Sequence, residues 1–144
     1  IADYKNAAKE SNETNNSRST PIAVYIPTPD LTVTATVASP TTVAPRGALT
    51  LTGTIKNIGT GKSPTTSYAA FYLTNGATDT FLKQLSVSAL AAGASVNLST
   101  TYTVPVGFAA GTYSVKLLAD YKGTISEINE ANNNLTGNTV TVLP

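Results

Sequence analysis

The side chains best able to do chemistry gather near the C-terminus, at Asp120 and in the run Glu127-Ile-Asn-Glu-Ala-Asn-Asn133. Asp120, Glu127, Asn129 and Glu130 are hard oxygen donors of the kind that Ca²⁺ takes. Their spacing departs from an EF-hand loop, which alternates Asp/Asn around a central Gly and ends on a distal Glu. A second reading is structural. Asn and acidic side chains bond nearby backbone groups where a connection lacks regular pairing, so Glu127, Asn129, Glu130, Asn132 and Asn133 form a candidate loop lock. The structural reading is the stronger, and calcium stays open as the alternative.

Elsewhere the residue types exclude more than they offer. The chain has no His and no Cys, so neither a Ser-His-Asp or Cys-His constellation nor a His/Cys zinc site can be assembled. A two-carboxylate hydrolase needs acids facing one cleft, and three of the acids here share one connection. The reading is therefore not an enzyme, with no catalytic residue and no resident cofactor. Gly59-Thr-Gly-Lys-Ser63 fails as a phosphate loop, because the position requiring the first Gly is Lys56. Nine basic residues against eight acidic give a formal charge of +1, which is no footprint for nucleic acid. The short Lys5/Lys9 and Lys56/Lys62 pairs read as solvated surface. No stretch approaches the roughly 20 apolar residues that span a bilayer, so no membrane insertion is expected. Sequons at Asn12, Asn15, Asn97 and Asn134 matter only if the protein is exported and glycosylated.

The elements that must position these residues are strands, and they recur. Ala2-Asp-Tyr-Lys5 repeats as Ala119-Asp-Tyr-Lys122, and Glu10, Asn12, Glu13, Asn15 and Asn16 repeat as Glu127, Asn129, Glu130, Asn132 and Asn133. The offset is 117 residues without a gap, and Pro27 falls on Pro144. Self-similarity at a fixed period marks a repeat. Residues 28–144 then form one complete unit, and residues 1–27 the remnant of a preceding one plus a linker. Ile1 aligns with Leu118 inside an apolar alternation, as expected of a piece cut from a tandem array. Within the unit, 31–37 and 49–55 alternate apolar residues with threonine. Further strands are expected at 66–73, 81–87, 96–104, 112–121 and 139–143. Pro40, Pro45-Arg-Gly47, Asn57–Gly61, Asn75-Gly76, Gly93 and Gly107 punctuate them. About seven short strands predict an all-β, antiparallel sandwich of immunoglobulin-like or fibronectin-III-like type. Helix has one weak candidate, 6–12. Tyr113, after Gly111, is placed to be a corner tyrosine that bonds back to the chain at a strand entry.

In order along the chain, Pro29-Asp-Leu31, Pro45-Arg-Gly47, Lys56–Gly61, Leu90-Ala-Ala-Gly93, Gly111-Thr-Tyr113 and Glu127–Asn133 resemble the CARDB domain, the cell-adhesion-related domain found in bacteria. The resemblance covers essentially all of 28–144. It implies a seven-stranded immunoglobulin-like sandwich, usually tandem, in exported bacterial or archaeal surface proteins and extracellular enzymes. The loop after the third strand departs from many members: Asn75–Asp79 carries one acid where several aspartates are common. The leading expectation is a non-catalytic stalk, spacer or fibre unit at the cell surface, with neighbouring repeats or copies of itself as partners. A second is an adhesive module for extracellular carbohydrate or protein, with Phe108 and Lys62 as loop candidates. A third is a filament subunit joined by a donated strand, with Pro21, Ile22, Val24 and Ile26 as donor residues.

Overall fold

Threonine on one side and aliphatic residues on the other dictate the layers. In 48–57, Leu49, Leu51 and Ile55 are buried while Thr50 and Thr52 are exposed, so one face of the strand meets a core and the other meets water. The computed structural model describes residues 2–5, 7–12 and 14–144. Ile1, with the strand reading placed on it, and Asn6, which opens the helix candidate, lie outside the described residues, as does Glu13.

The described residues form eight strands: β1 (Leu31–Ser39), β2 (Thr42–Val43), β3 (Ala48–Asn57), β4 (Ser67–Thr74), β5 (Asp79–Val87), β6 (Ser95–Thr103), β7 (Gly111–Leu118) and β8 (Asn134–Val142). They make a three-stranded sheet, β1-β3-β6, and a five-stranded sheet, β2-β8-β7-β4-β5. All pairings are antiparallel except β2 with β8. Phe71, Leu73, Val115, Leu117 and Val140 from the larger sheet pack with Leu31, Leu49, Leu51 and Ile55 from the smaller to fill the core. Where β1 meets β8, the Asn138 amide donates to the Ala38 carbonyl (2.9 Å) and accepts from the Ala38 N–H (2.8 Å), replacing a ladder rung with a side chain.

The sandwich class and the seven longer strands follow the sequence reading. The two-residue β2 lies outside it, being too short to show a period. β8 begins at Asn134 and not at Thr139: Asn134-Leu-Thr-Gly-Asn138 has the composition of a loop, yet Asn134, Leu135 and Thr136 pair with Leu118, Leu117 and Lys116 of β7. β7 ends at Leu118, three residues early: Ala119 N–H turns to the Asn133 carbonyl (2.7 Å) and Asp120 takes φ +39°. Residues 7–12 are not helical. The Tyr113 hydroxyl donates to the Ala109 carbonyl at 2.9 Å, four residues upstream.

Strand register fixes two poles. Leu31 lies opposite Asn57 and Leu118 opposite Asn134, so β1 starts, and the 119–133 connection sits, at one end. Val142 lies opposite Gly111, and Thr42–Val43 pair with Thr141–Val142, at the other. The chain enters at one pole and leaves from the opposite one.

Candidate functional site

At the entry pole the 119–133 connection grips the first residues of the unit. Glu127 Oε2 accepts from the Leu31 N–H at 2.5 Å. The Asn133 amide is buried, and the orientation that satisfies its neighbours turns Nδ2 toward the Leu31 carbonyl, Asn132 Oδ1 (3.1 Å) and Glu127 Oε2 (3.2 Å). Two side chains thus satisfy both backbone groups of Leu31, as a neighbouring strand would. Asn132 adds its amide to Asp30 Oδ1 (2.8 Å) and its carbonyl to the Thr32 hydroxyl (3.0 Å). Ile128 N–H donates to the Pro29 carbonyl (3.0 Å). Within the connection, Glu130 Oε1 accepts from Glu127 N–H and Asn129 Oδ1 from Ala131 N–H, both at 3.0 Å. Asp120 accepts from the Thr124 hydroxyl and from Ile125 N–H, both at 2.7 Å.

For the calcium candidates this means that each carboxylate, and the Asn129 carbonyl, already accepts from a donor of the chain. Asp120 uses one oxygen on Thr124 and the other on Ile125. Among the described residues no three His, Cys, Asp or Glu side chains are grouped to hold a metal ion. Burial, followed by the charges of Glu130, Asp120 and Asp30, raises the Glu127 carboxyl to about 7 against the lowering effect of the Leu31 N–H.

The glycine-rich turn that fails as a phosphate loop has its own role at this pole. Asn57, fully buried, accepts from Asp30 N–H (3.1 Å) and Gly59 N–H (3.0 Å) and donates to the carbonyls of Gly61 (2.8 Å) and Leu90 (3.0 Å). All the hydrogen-bonding capacity of its amide is therefore used. The turn then cradles the linker: Thr60 and Gly61 N–H both donate to the Thr28 carbonyl at 3.0 Å, and the Tyr25 hydroxyl donates to Thr60 Oγ1 at 2.6 Å. A Cβ on Gly59 would stand 2.5 Å from Thr28 O and Asp30 N, and one on Gly61 2.5 Å from the Pro27 carbonyl. Only glycine permits that approach.

Among the described residues, the N-terminal copy of the phrase shares several hydrogen bonds with the C-terminal copy. Ala2 N–H donates to Asn16 O (2.9 Å) where Ala119 donates to Asn133 O. Ala8 N–H donates to Asp3 Oδ2 (3.0 Å), the counterpart of Ile125 to Asp120, and Thr14 N–H to Asn12 Oδ1 (3.0 Å), the counterpart of Ala131 to Asn129. Asp3 takes φ +46° beside +39° at Asp120. The donor-strand residues Pro21, Ile22, Val24 and Ile26 are all exposed and lie in no strand.

Of the two loop candidates, Lys62 is exposed, whereas Phe108 packs against the core with its ring 5.5 Å from that of Tyr113. A further group of aromatic rings lies on the outer face of the five-stranded sheet and in the turn after β7. Tyr68 and Tyr72 face outward from β4; Tyr72 meets Phe81 edge-on at 5.7 Å, and Phe81 lies 6.4 Å from Tyr121. Lys122 Nζ sits 3.8 Å from the centre of the Tyr68 ring and 5.6 Å from that of Tyr121, within cation–π range. The Tyr121 hydroxyl bonds Gln84 Oε1, and Lys116 pairs with Asp79 at 2.7 Å. That bond holds the Asp79 carboxyl below its usual range, and burial, then Tyr121 and Asp79, push the Tyr72 phenol up. Strand aromatics read from sequence as core or sheet-face packing. The usable signal is parity: Tyr68 and Tyr72 alternate with buried Ala69, Phe71 and Leu73, and so must face away from the core.

Comparisons place this architecture. The CARDB domain of a Pyrococcus furiosus protein, solved in complex with di-metal ions, is 26% identical, with a TM-score of 0.62 over 83% of this chain and 97% of its own. A domain from Methanosarcina acetivorans, of a protein whose description assigns it to the cell surface, is 28% identical, with a TM-score of 0.58 over 81% and 93%. A β-glucosidase of Listeria innocua, at 15% identity and a TM-score of 0.51, shares only the fold, over 16% of its length. No curated protein matches the sequence significantly. The CARDB family model matches residues 28–137, and the chain belongs to the CARDB family.

Proposed function

We propose that the unit is a non-catalytic structural module, a stalk, spacer or fibre unit, of an extracellular tandem-repeat protein at a bacterial or archaeal cell surface. The observation that carries this reading is the opposition of the poles: β1 begins at one end and β8 finishes at the other. Units joined head to tail through such a topology extend without reversing direction. The docked linker supports it, since residues 25–31 are held by two loops of the unit they enter. The shared hydrogen bonds of 2–16 and 119–133 support reading residues 1–27 as the close of a preceding repeat. Small-angle scattering on two copies of residues 28–144, joined Pro144 to Thr28, should show an elongated particle with a narrow size distribution. A compact particle or a broad ensemble would sink the spacer reading.

A second reading, strand donation, is favoured by the exposed, unpaired run Ile22, Val24, Tyr25 and Ile26, each at least 68% exposed. Such a run can add to a sheet edge of another copy.

A further inference from the structure

We propose that the outer face of the five-stranded sheet is a binding platform for an acidic polysaccharide, one whose pyranose units carry carboxylates. This goes beyond the spacer reading and does not depend on it. Phe81, on β5, is half exposed, and its ring lies 6.4 Å from that of Tyr121, just beyond the end of β7, with the two planes tilted by 43°. An aromatic face is electron-rich. The axial C–H bonds of a pyranose ring carry partial positive charge, so sugars stack on such faces. Two neighbouring rings, one on the sheet and one at its rim, offer successive stacking positions.

Charge decides which sugar. Lys122 extends over the Tyr68 ring and toward Tyr121, and among the described residues it has no carboxylate in ion-pair reach. Lys116 on the same face is paired with Asp79. Two lysines thus stand against one carboxylate, and the unneutralised one lies beside the stacking rings. A uronate fits: its carboxylate answers Lys122 while its ring lies on Tyr121 or Phe81. Further along the same strands, two residues from Tyr72 and Phe81, a depression of about 720 Å³ opens between Thr74, Asp79, Ser114 and Thr136. Its hydroxyl and carboxylate lining can bond sugar hydroxyls, which an apolar protein partner would leave unmatched.

Affinity electrophoresis of the full chain in gels containing polygalacturonate tests the proposal, with dextran sulfate and a neutral glucan in parallel gels. Retardation by polygalacturonate is expected, with at least a five-fold loss of affinity in Phe81→Ala. Lys122→Gln should remove the preference over the neutral glucan. Both positions are surface ones, and thermal midpoints confirm folding; if Phe81→Ala does not fold, Phe81→Leu serves in its place. Absence of retardation overturns the proposal. So does equal retardation by dextran sulfate that Phe81→Ala leaves unchanged, since charge alone would then explain it. Binding only to the neutral glucan would also reject the assigned ligand.

Discussion

At the scale of single residues, Glu127 joins structure to solution conditions. Its carboxylate faces Leu31 N–H in a half-buried site shared with Glu130, Asp120 and Asp30, and its pKa stands at about 7 against an ordinary 4.5. A raised acid pKa means that the fold holds this proton more tightly than the unfolded chain does. Its contribution to stability is therefore complete below about pH 4.5 and lost as pH rises through about 7. Glu127→Gln keeps an oxygen for Leu31 and removes the titration. Urea unfolding from pH 4 to 8 should show the wild type losing stability relative to this variant across that window. The expected difference is about 1 kcal/mol, allowing for solvent screening of a half-buried group. A pH-independent difference between the two proteins would place the raised pKa in doubt.

Among the elements, the turn at 57–61 controls how the unit is entered. Gly61→Val must push a side chain into the Pro27 carbonyl, so the linker has to leave its seat. Overpacking of this kind costs typically about 1–3 kcal/mol. Heteronuclear ¹H–¹⁵N relaxation should find Tyr25, Ile26 and Thr28 as rigid as β3 in the wild type and mobile in Gly61→Val, with β3 itself unchanged. Equal rigidity in both would show that the turn does not hold the linker. How this turn works was beyond the sequence, although its glycines were conspicuous. The need for glycine comes from the backbone of Pro27–Asp30, distant in sequence, and only tertiary placement reveals it. By contrast β1 and β3 were legible, because one face meets the core and period two follows directly. β8 was half hidden, since Asn138 bonds backbone from within a strand, a task usually given to turns. The outward tyrosines of β4 show the same limit: their parity was readable, but that Phe81 and Tyr121 join them depends on pairing across β5 and the end of β7.

For the molecule as a whole, the question is what residues 1–27 contribute to the stability of the rest. Among the described residues no core hydrophobic precedes Leu31, and Tyr4, Ile22, Val24, Tyr25 and Ile26 are 68–86% exposed. Within the tail, hydrogen bonds of 2–16 match those of 119–133, while its later residues run to the cradle outside any strand. Removing residues 1–24 should accordingly leave the unfolding free energy within about 0.5 kcal/mol, as for exposed surface. Removing residues 1–30 strips the acceptors of Thr60, Gly61 and Ile58 N–H and the partner of Asn132. Unsatisfied groups of this kind cost about 1–3 kcal/mol each where they are buried, so this deletion should be markedly destabilising. Urea unfolding of the three chains separates the two steps. Sedimentation at several concentrations then distinguishes the roles proposed for the tail. A severed repeat end leaves the full chain and the 25–144 chain equally monomeric. A donated strand gives the full chain a concentration-dependent mass and a stability that rises with concentration, and both disappear when residues 1–24 are removed.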